Sequence, residues 1–458
     1  MSELKKDIFK SLKPLYYSGY RPKLYIETYG CQMNVNDSEV VAAIMQKAGY
    51  SITKDIGEAN VILVNTCSVR DNAEQRIWGR LECFKVEKKR RRDLTVGVIG
   101  CMAERLKETL LENNTVDIVA GPDAYRKLPD MLEQTERGQK GINVLLSREE
   151  TYADISPVRM DKTGVSAFIS IMRGCNNVCS FCVVPYTRGV ERSRNPETVI
   201  DEILSLSRKG YREITLLGQN VDSYKYGNVN FARLLQSVAE TFPNMRIRFS
   251  TSHPKDMTDE ALETMSRYSN ICNYIHLPVQ SGSTEVLERM NRKYTREDYL
   301  HRIEKIRKIL PDCAISTDII TGFCGETAKD HRDTLSLMRE VAFDFAYMFK
   351  YSERSNTKAA RMFEDDVPEK KKIERLTEVI ALQAELSLKS HRKHIGSVVE
   401  VLVEDVSKRS NEDLCGRTPQ NNMVVFPKSG CKIGDTVKIK ITDCTQATLK
   451  GKIYGGQA

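Results

Sequence analysis

The sequence predicts an α/β multidomain protein in three parts. These are a flavodoxin-like parallel sheet at the N-terminus, a partial (β/α)6 barrel in the middle and a small all-β barrel at the C-terminus. Three observations predict it. Short apolar runs alternate with helical patterns through the first 150 residues, the alternation restarts with longer units near Val165, and after Gly396 the texture changes to β-branched runs broken by turns. Strand–helix alternation reads as a parallel sheet covered by helices, and a series of short strands as a barrel.

Taken in order, residues 1–22 form an extension ahead of the first strand. The N-terminal domain, 23–150, has strand candidates at Leu24–Thr28, Val61–Asn65, Thr95–Ile99, Val116–Ala120 and Ile142–Leu146. Between the first two, Val40, Val41, Ile44 and Met45 make one apolar face of a helix over Ser38–Ala48. Thr151–Lys162 reads as a linker. The middle domain, 160–382, has six strand candidates: Ala167–Met172, Glu213–Leu217, Arg246–Ser250, Tyr274–Leu277, Ala314–Ile319 and Phe345–Lys350. Helices such as Pro196–Arg208, with proline at its start, and Arg296–Leu310 separate them. Six units fall short of the eight that close a full barrel of this type. A charge-rich helical connector over Pro368–Lys393 leads to the last domain, 390–457, with strands at Val398–Val403, Met423–Phe426, Thr436–Ile441 and Thr448–Tyr454.

The 458 residues are 40% hydrophobic and 29% charged, which excludes a disordered or collagen-like chain. No apolar run approaches the roughly 18 residues of a membrane span. The first residues, Met1-Ser-Glu-Leu-Lys-Lys-Asp, lack an apolar signal core, so a cytoplasmic protein with no membrane partner is expected. Lysine and arginine exceed aspartate and glutamate by 8, a balance that permits an anionic partner without requiring one. Thirteen cysteines are too dilute for a disulfide scaffold, and in a reducing compartment grouped thiols point to metal or catalysis.

Two groups stand out. Arg173-Gly-Cys175-Asn-Asn-Val-Cys179-Ser-Phe-Cys182 places three thiols in one C-x3-C-x2-C loop, just past the first strand of the middle domain. Soft thiolates favour iron–sulfur clusters or zinc, and three of them leave one iron of a [4Fe–4S] cluster open. A structural zinc loop completed from elsewhere is the alternative, weakened by the lack of a second C-x2-C pair. The second group is Cys31, Cys67 and Cys101, spaced by 36 and 34 residues, each just past the end of a candidate strand. In a parallel sheet those ends share one edge, where open α/β folds bind ligands. Buried small hydrophobes are the other reading of the same residues. Cys83, Cys272, Cys313, Cys324, Cys415, Cys431 and Cys444 follow no such spacing and read as packing or incidental thiols.

On these residues the chain resembles the radical S-adenosylmethionine (SAM) methylthiotransferases. Cys175, Cys179 and Cys182 match that family's cluster motif, with Phe181-Cys-Val-Val-Pro-Tyr-Thr-Arg-Gly189 and Arg192-Ser-Arg-Asn-Pro196 similar to its flanks. Cys31, Cys67 and Cys101 match its auxiliary-cluster cysteines, His276-Leu-Pro-Val-Gln-Ser-Gly282 resembles a further block, and Gly416-Arg-Thr418 with Val424-Val-Phe426 is similar to its terminal TRAM barrel. Leu217-Gly-Gln-Asn-Val-Asp-Ser-Tyr224 looks most like the branch acting on tRNA. Cys324 in Gly322-Phe-Cys-Gly-Glu326 and the loop Ser352–Lys358 depart from the family pattern.

The resemblance implies two [4Fe–4S] clusters, SAM as radical source and methyl donor, and a tRNA substrate. The implied reaction is methylthiolation of C2 of N6-dimethylallyladenosine at nucleotide 37. SAM would bind the open iron of the Cys175/Cys179/Cys182 cluster and yield a 5′-deoxyadenosyl radical. The Cys31/Cys67/Cys101 cluster would carry the transferred sulfur, and both would face one cavity. An unactivated C2–H offers little to acid–base catalysis, which is why a cofactor carries the chemistry. A flavodoxin-type electron donor and a monomeric state are expected. Phe181, Gln219, Asn220, His276, Gln280 and Asp318 are the expected cofactor-pocket residues. Arg188, Arg192, Arg194 and Arg417 are the expected RNA contacts, with the basic run Lys85–Arg92 as a further phosphate-binding candidate. The same chemistry on threonylcarbamoyl-adenosine or on a ribosomal-protein aspartate is the nearest alternative, and a non-catalytic zinc-containing RNA-binding protein is the alternative of another class.

Overall fold

A computed structural model of the chain describes residues 21–68, 71–161 and 163–455, so the expected extension over 1–22 lies almost wholly outside the described residues. The chain divides into two compact units: residues up to Met160 together with Val183–Arg192, and Asp161–Cys182 together with the chain from Ser193 onward.

The first unit is a six-stranded parallel sheet between two helical layers. In chain order it contains β1 (Lys23–Tyr29), α1 (Gln32–Lys47), β2 (Ser51–Ile52), β3 (Val61–Thr66), α2 (Asp71–Arg90), β4 (Thr95–Gly100), α3 (Cys101–Leu106), β5 (Ile118–Ala120), α4 (Leu128–Glu136) and β6 (Gly141–Asn143). The strands lie in the order β2-β1-β3-β4-β5-β6, the flavodoxin arrangement with one strand added. Strand side chains alternate between faces, so each strand feeds two cores. Leu24, Ile26, Leu63 and Ile99 pack under α1 with Val41 and Met45, while Ile62, Val64, Val96 and Val98 pack under α2 with Ile77, Leu81 and Phe84.

Two strands are shorter than the sequence predicts. The Asp117 carboxylate accepts the Val96 N–H at 2.8 Å and takes the Lys88 ammonium at 2.6 Å, so a side chain replaces ladder pairing where β5 would begin. At the other end, the Asn143 side chain accepts the Leu145 N–H at 3.4 Å and turns the chain, leaving Leu145 exposed. The unit is completed by α5 (Val184–Arg188), a short helix with proline in its first turn that packs on α3.

The second unit carries six parallel strands in two halves. β7 (Ser166–Ser170), β8 (Glu213–Leu217) and β9 (Arg246–Ser250) form one half; β10 (Tyr274–His276), β11 (Ala314–Thr321) and β12 (Phe345–Lys350) form the other. A parallel bridge between Ile247 and Ile271 joins them. Six strands pairing in chain order without closure make the partial barrel expected from the sequence. Its helical jacket includes α6 (Pro196–Arg208), α7 (Phe231–Thr241), α8 (Asp259–Arg267), α9 (Arg296–Ile309), α10 (Ala328–Val341) and α11 (Glu369–Arg392). Ile214, Leu216, Ile247, Ile315 and Ile319 are buried in one core with Leu234, Ile303, Leu337 and Val379 of those helices. At the start of α6, the Asn195 side chain accepts the Glu197 N–H at 2.9 Å, which is why the helix begins at Pro196.

The chain ends in a closed five-stranded barrel of β13 (Val398–Val406), β14 (Asp413–Arg417), β15 (Met423–Pro427), β16 (Thr436–Cys444) and β17 (Leu449–Ile453), in the order β13-β14-β15-β17-β16. The strand β14 was not among the sequence candidates, since Asp413-Leu-Cys-Gly-Arg lacks a β-branched run. At Gly416 a Cβ would sit 1.9 Å from the Leu402 carbonyl oxygen, so only glycine allows β14 to cross β13 here. The β-barrel is fastened to β9 by Arg248, whose guanidinium donates to the Thr418 and Pro419 carbonyls at 2.7 and 3.0 Å while pairing with Glu213 at 2.9 Å.

Candidate functional site

Chemistry in the first unit concentrates at the C-terminal edge of the sheet. Tyr29, Thr66 and Gly100 stand in one row of the parallel ladder, Tyr29 beside Thr66 and Thr66 beside Gly100. Cys31, Cys67 and Cys101 follow that row by two, one and one residues. Register alone therefore assembles three thiols that are far apart in sequence.

Local details keep the row tight. Cys31 caps α1, and both its N–H and its thiol donate to Asn34 Oδ1 at 3.2 Å. Asn34 Nδ2 donates to Asn65 Oδ1 at 3.1 Å, and Asn65 Nδ2 returns to the Asn34 carbonyl and to Ser38 Oγ at 2.9 and 3.0 Å. This buried network ties α1 to β3 between two cysteines. Gly30 and Gly100 have positive φ, and a Cβ on either would run into the same assembly: 2.6 Å from Cys67 Cβ at Gly30, 2.4 Å from Asn65 Oδ1 at Gly100. Cys67 and Cys101 are buried and Cys31 is exposed. A hydrogen bond with Cys67 holds the Cys31 thiol below the usual range, helped by the Arg188 charge, whereas burial pushes Cys101 up.

The second trio is built by its own loop. Cys179 is buried, and Cys182 N–H donates to its carbonyl at 3.0 Å. Ser180, fully buried between them, donates through its N–H to the Met290 carbonyl and through Oγ to the Arg289 carbonyl, and accepts from the Ala359 N–H. Asn177 Nδ2 and Asn220 Nδ2 both donate to Asp256 Oδ2, at 3.0 and 2.7 Å, which anchors the loop to the end of β8. Arg292, itself buried, donates from Nη1 to Cys179 Sγ at 3.2 Å; its other partners, Tyr294 Oη and the Pro278 carbonyl, are neutral. Sequence reasoning missed Arg292 and Asp256, since neither sits in a pattern that sets it apart.

Around this loop the expected pocket residues fall into two groups. Gln219 and Asn220 follow β8 by two and three residues, and Gln219 Oε1 and Asn220 Oδ1 are buried without a protein hydrogen-bond partner, as is Nε2 of His253. Such orphaned atoms fit a polar ligand. Burial and the Arg292 charge lower the His253 pKa to about 2, so its imidazole is neutral. On the second half-sheet, His276 pairs with Ser316 in register and Asp318 with Tyr347, on the face opposite the helix-packed Ile315 and Ile319. His276 Nδ1 lies 2.9 Å from Ser316 Oγ and its Nε2 3.5 Å from Asp318 Oδ1. Gln280, with φ of +74°, bridges to Ile319 through its backbone. Phe181 packs edge-on to Phe323 at 6.5 Å, beside a buried apolar cluster that also holds Cys324.

Three expected RNA contacts are corrected. Arg188, Arg192 and Arg194 are buried and bound to Asp37, Asp123 and Glu202 respectively, so no guanidinium among them is presented to a phosphate. Their carboxylate partners lie from 8 to 151 residues away in the chain, which no local motif reveals. In the basic run, Lys88 binds Asp117 and Arg91 donates to the carbonyls of Ile56, Gly57 and Ala59, while Lys89, Arg90 and Arg92 are exposed. Arg417 stays half-exposed beside Glu404.

The donor sets fit iron–sulfur clusters. Each trio is all-thiol, and each has a buried arginine on one sulfur. A cubane takes each thiolate on a different iron.

Three family models match: the radical SAM superfamily over residues 169–338, the uncharacterized protein family UPF0004 over 23–121, and the TRAM domain over 392–454. A Phocaeicola vulgatus protein named tRNA-2-methylthio-N6-dimethylallyladenosine synthase is 56% identical over 435 residues, 94% of this chain and 95% of its own. Proteins of the same name from Porphyromonas gingivalis and Christiangramia forsetii are 55% and 54% identical, each across 94% of this chain and 95% and 94% of their own. Among solved structures, a radical SAM methyltransferase from Kitasatospora setae with tryptophan and a SAM analogue bound matches with a TM-score of 0.56 at 15% identity, covering 72% of this chain and 73% of that one. At that identity the likeness is one of fold.

Proposed function

We propose a function from one premise: this chain belongs to the tRNA-2-methylthio-N6-dimethylallyladenosine synthases, whose members it matches at more than half of its positions across nearly its whole length. It is a radical SAM transferase that places a methylthio group on C2 of N6-dimethylallyladenosine in tRNA. The observation that carries the reading is the row of Cys31, Cys67 and Cys101 along adjacent strand ends, a thiol trio additional to the loop motif.

When bound, SAM on a [4Fe–4S] cluster supplies a radical able to take hydrogen from an unactivated carbon. Cys175, Cys179 and Cys182 would hold that cluster, with Asp256 and Ser180 fixing their loop. Gln219 and Asn220 would offer their orphaned oxygens to SAM, with His276, Gln280, Asp318 and Phe181 assigned to the remainder of its site. Cys31, Cys67 and Cys101 would hold a second cluster that carries the sulfur. Because reacting atoms must approach to roughly 3–3.5 Å, one adenine has to reach both centres. The RNA-facing surface falls to the half-exposed Arg417 and the exposed Lys89, Arg90 and Arg92. The same reading assigns 23–150, 160–382 and 390–457 to auxiliary-cluster, SAM and RNA-binding domains, except that Val183–Arg192 packs within the first unit, and it includes modification at nucleotide 37, a flavodoxin-type reductant, a monomer and a cytoplasmic setting. Among the described residues no helix is long and apolar enough to cross a membrane.

The test is mass analysis of tRNA nucleosides from a strain lacking the protein. The methylthio mark should vanish and N6-dimethylallyladenosine accumulate. Parent protein should restore the mark and Cys31→Ala should not. Persistence of the mark in the deletion strain contradicts the reading.

A further inference from the structure

Arg188 is a deeply buried charge of the first unit. Its residue is 3% exposed, and Asp37, its carboxylate partner, is 0% exposed. The packing of α5 on α3 carries it to Cys101, the first residue of α3, where Nε donates to Sγ at 3.1 Å. Nη2 donates to Asp37 Oδ2 at 2.7 Å, and Nη1 is buried with no protein acceptor. Arginine–carboxylate pairs are frequently bidentate, with both arms of the fork on one carboxylate. Here one arm takes the carboxylate, the Nε–H is given to a thiol, and the remaining nitrogen keeps unused donors beside the trio. Asp37 Oδ2 is shared with the Tyr125 hydroxyl at 3.3 Å, so its charge is anchored from a second side.

We propose that Arg188 is a positioning residue for the Cys31/Cys67/Cys101 cluster, a fixed cation that, balanced by Asp37, sets how readily that cluster accepts an electron. The proposal rests on the auxiliary-cluster reading above. Reduction adds one negative charge to a cluster already carrying thiolates, so a neighbouring cation and N–H donors to sulfur favour the reduced form, and a neighbouring carboxylate opposes it. The low dielectric of a buried site magnifies both effects. Arg292 at Cys179 has neutral partners in place of an aspartate. The sulfur-carrying cluster thus has a damped version of the charge found at the other trio, a setting that separates their potentials.

The experiment uses the full-length chain with Cys175, Cys179 and Cys182 replaced by alanine, leaving one cluster. Iron per chain is measured anaerobically, and one-electron reduction by dithionite is followed against potential through the paramagnetic signal of the reduced cluster. R188M should move the midpoint negative and D37N should move it positive, with iron content unchanged, while R188K, which keeps the charge, should stay nearer the parent than R188M does. Should R188M fail to load iron, D37N decides: a positive shift upholds the proposal. Equal midpoints for D37N and the parent, or R188M and D37N shifted in the same direction, overturn it. Absence of iron from the triple-alanine chain itself would instead defeat the auxiliary-cluster reading.

Discussion

The two thiol trios solve the same chemical problem with opposite architectures. Cys175, Cys179 and Cys182 lie within eight residues of chain, and that one loop is held by hydrogen bonds of Ser180 and of Asn177 with Asp256. Cys31, Cys67 and Cys101 come from three successive strand ends, and only the register of β1, β3 and β4 brings them together. The difference teaches where each site is vulnerable. A loop site fails when its own anchors go. A strand-end site fails when the sheet edge shifts, even where no cysteine is touched.

That contrast can be broken most forcefully at Gly100. Its φ is +90°, and a Cβ would lie 2.4 Å from Asn65 Oδ1 and 3.0 Å from the Thr66 carbonyl oxygen. Strain of about 1–3 kcal/mol plus the damaged Asn65 network should make Gly100→Ala cost about 3 kcal/mol or more. Thermal unfolding and iron analysis check this: the variant should melt earlier and lose auxiliary iron while the loop cluster remains. Equal loss from both trios would erase the distinction.

The converse substitution is Asp256→Ala, which leaves the amides of Asn177 and Asn220 without their acceptor. A cost of about 1–3 kcal/mol is expected, since Asn220 is buried. SAM affinity, measured by calorimetry on the reconstituted enzyme, should fall, and auxiliary iron should not.

The smallest effect is expected at Glu104, one turn after Cys101. Burial raises its pKa from the ordinary 4.5 to about 7, reinforced by Asp123 and opposed by Lys107. A carboxyl whose folded pKa is raised favours the neutral native state, so its penalty is absent below pH 4.5, grows between 4.5 and 7, and is constant above. Glu104→Gln should therefore match the parent at pH 4 and be more stable by about 1–2 kcal/mol at pH 8. Chemical denaturation at the two pH values measures it.

Legibility in the sequence follows the same division. The loop trio is visible because its spacing is local. The strand-end trio is visible only through the strand pattern, because near-equal steps of one strand–helix unit imply one edge. β8, β9 and β12 run as continuous apolar or alternating stretches, and their bounds coincide with those the sequence predicts. β2 is two residues long, too short for any period, and β14 is built around a glycine rather than β-branched residues. What the sequence could not reveal is pairing across distance. Arg188, Arg192 and Arg194 look like a basic phosphate patch until Asp37, Asp123 and Glu202 arrive beside them. Arg292 and Asp256 support the SAM-side loop from positions with no motif of their own. Charge runs report composition; only the fold reports which charges are already spent.

Anaerobic iron and sulfide analysis of Cys31→Ala and Cys175→Ala beside the parent tests the central claim most directly. Two cubanes imply about eight irons per parent chain and about four in each variant, each keeping the cluster that the other loses. A parent chain with about four irons, unchanged in Cys31→Ala, would contradict the assignment of a second cluster to the strand ends.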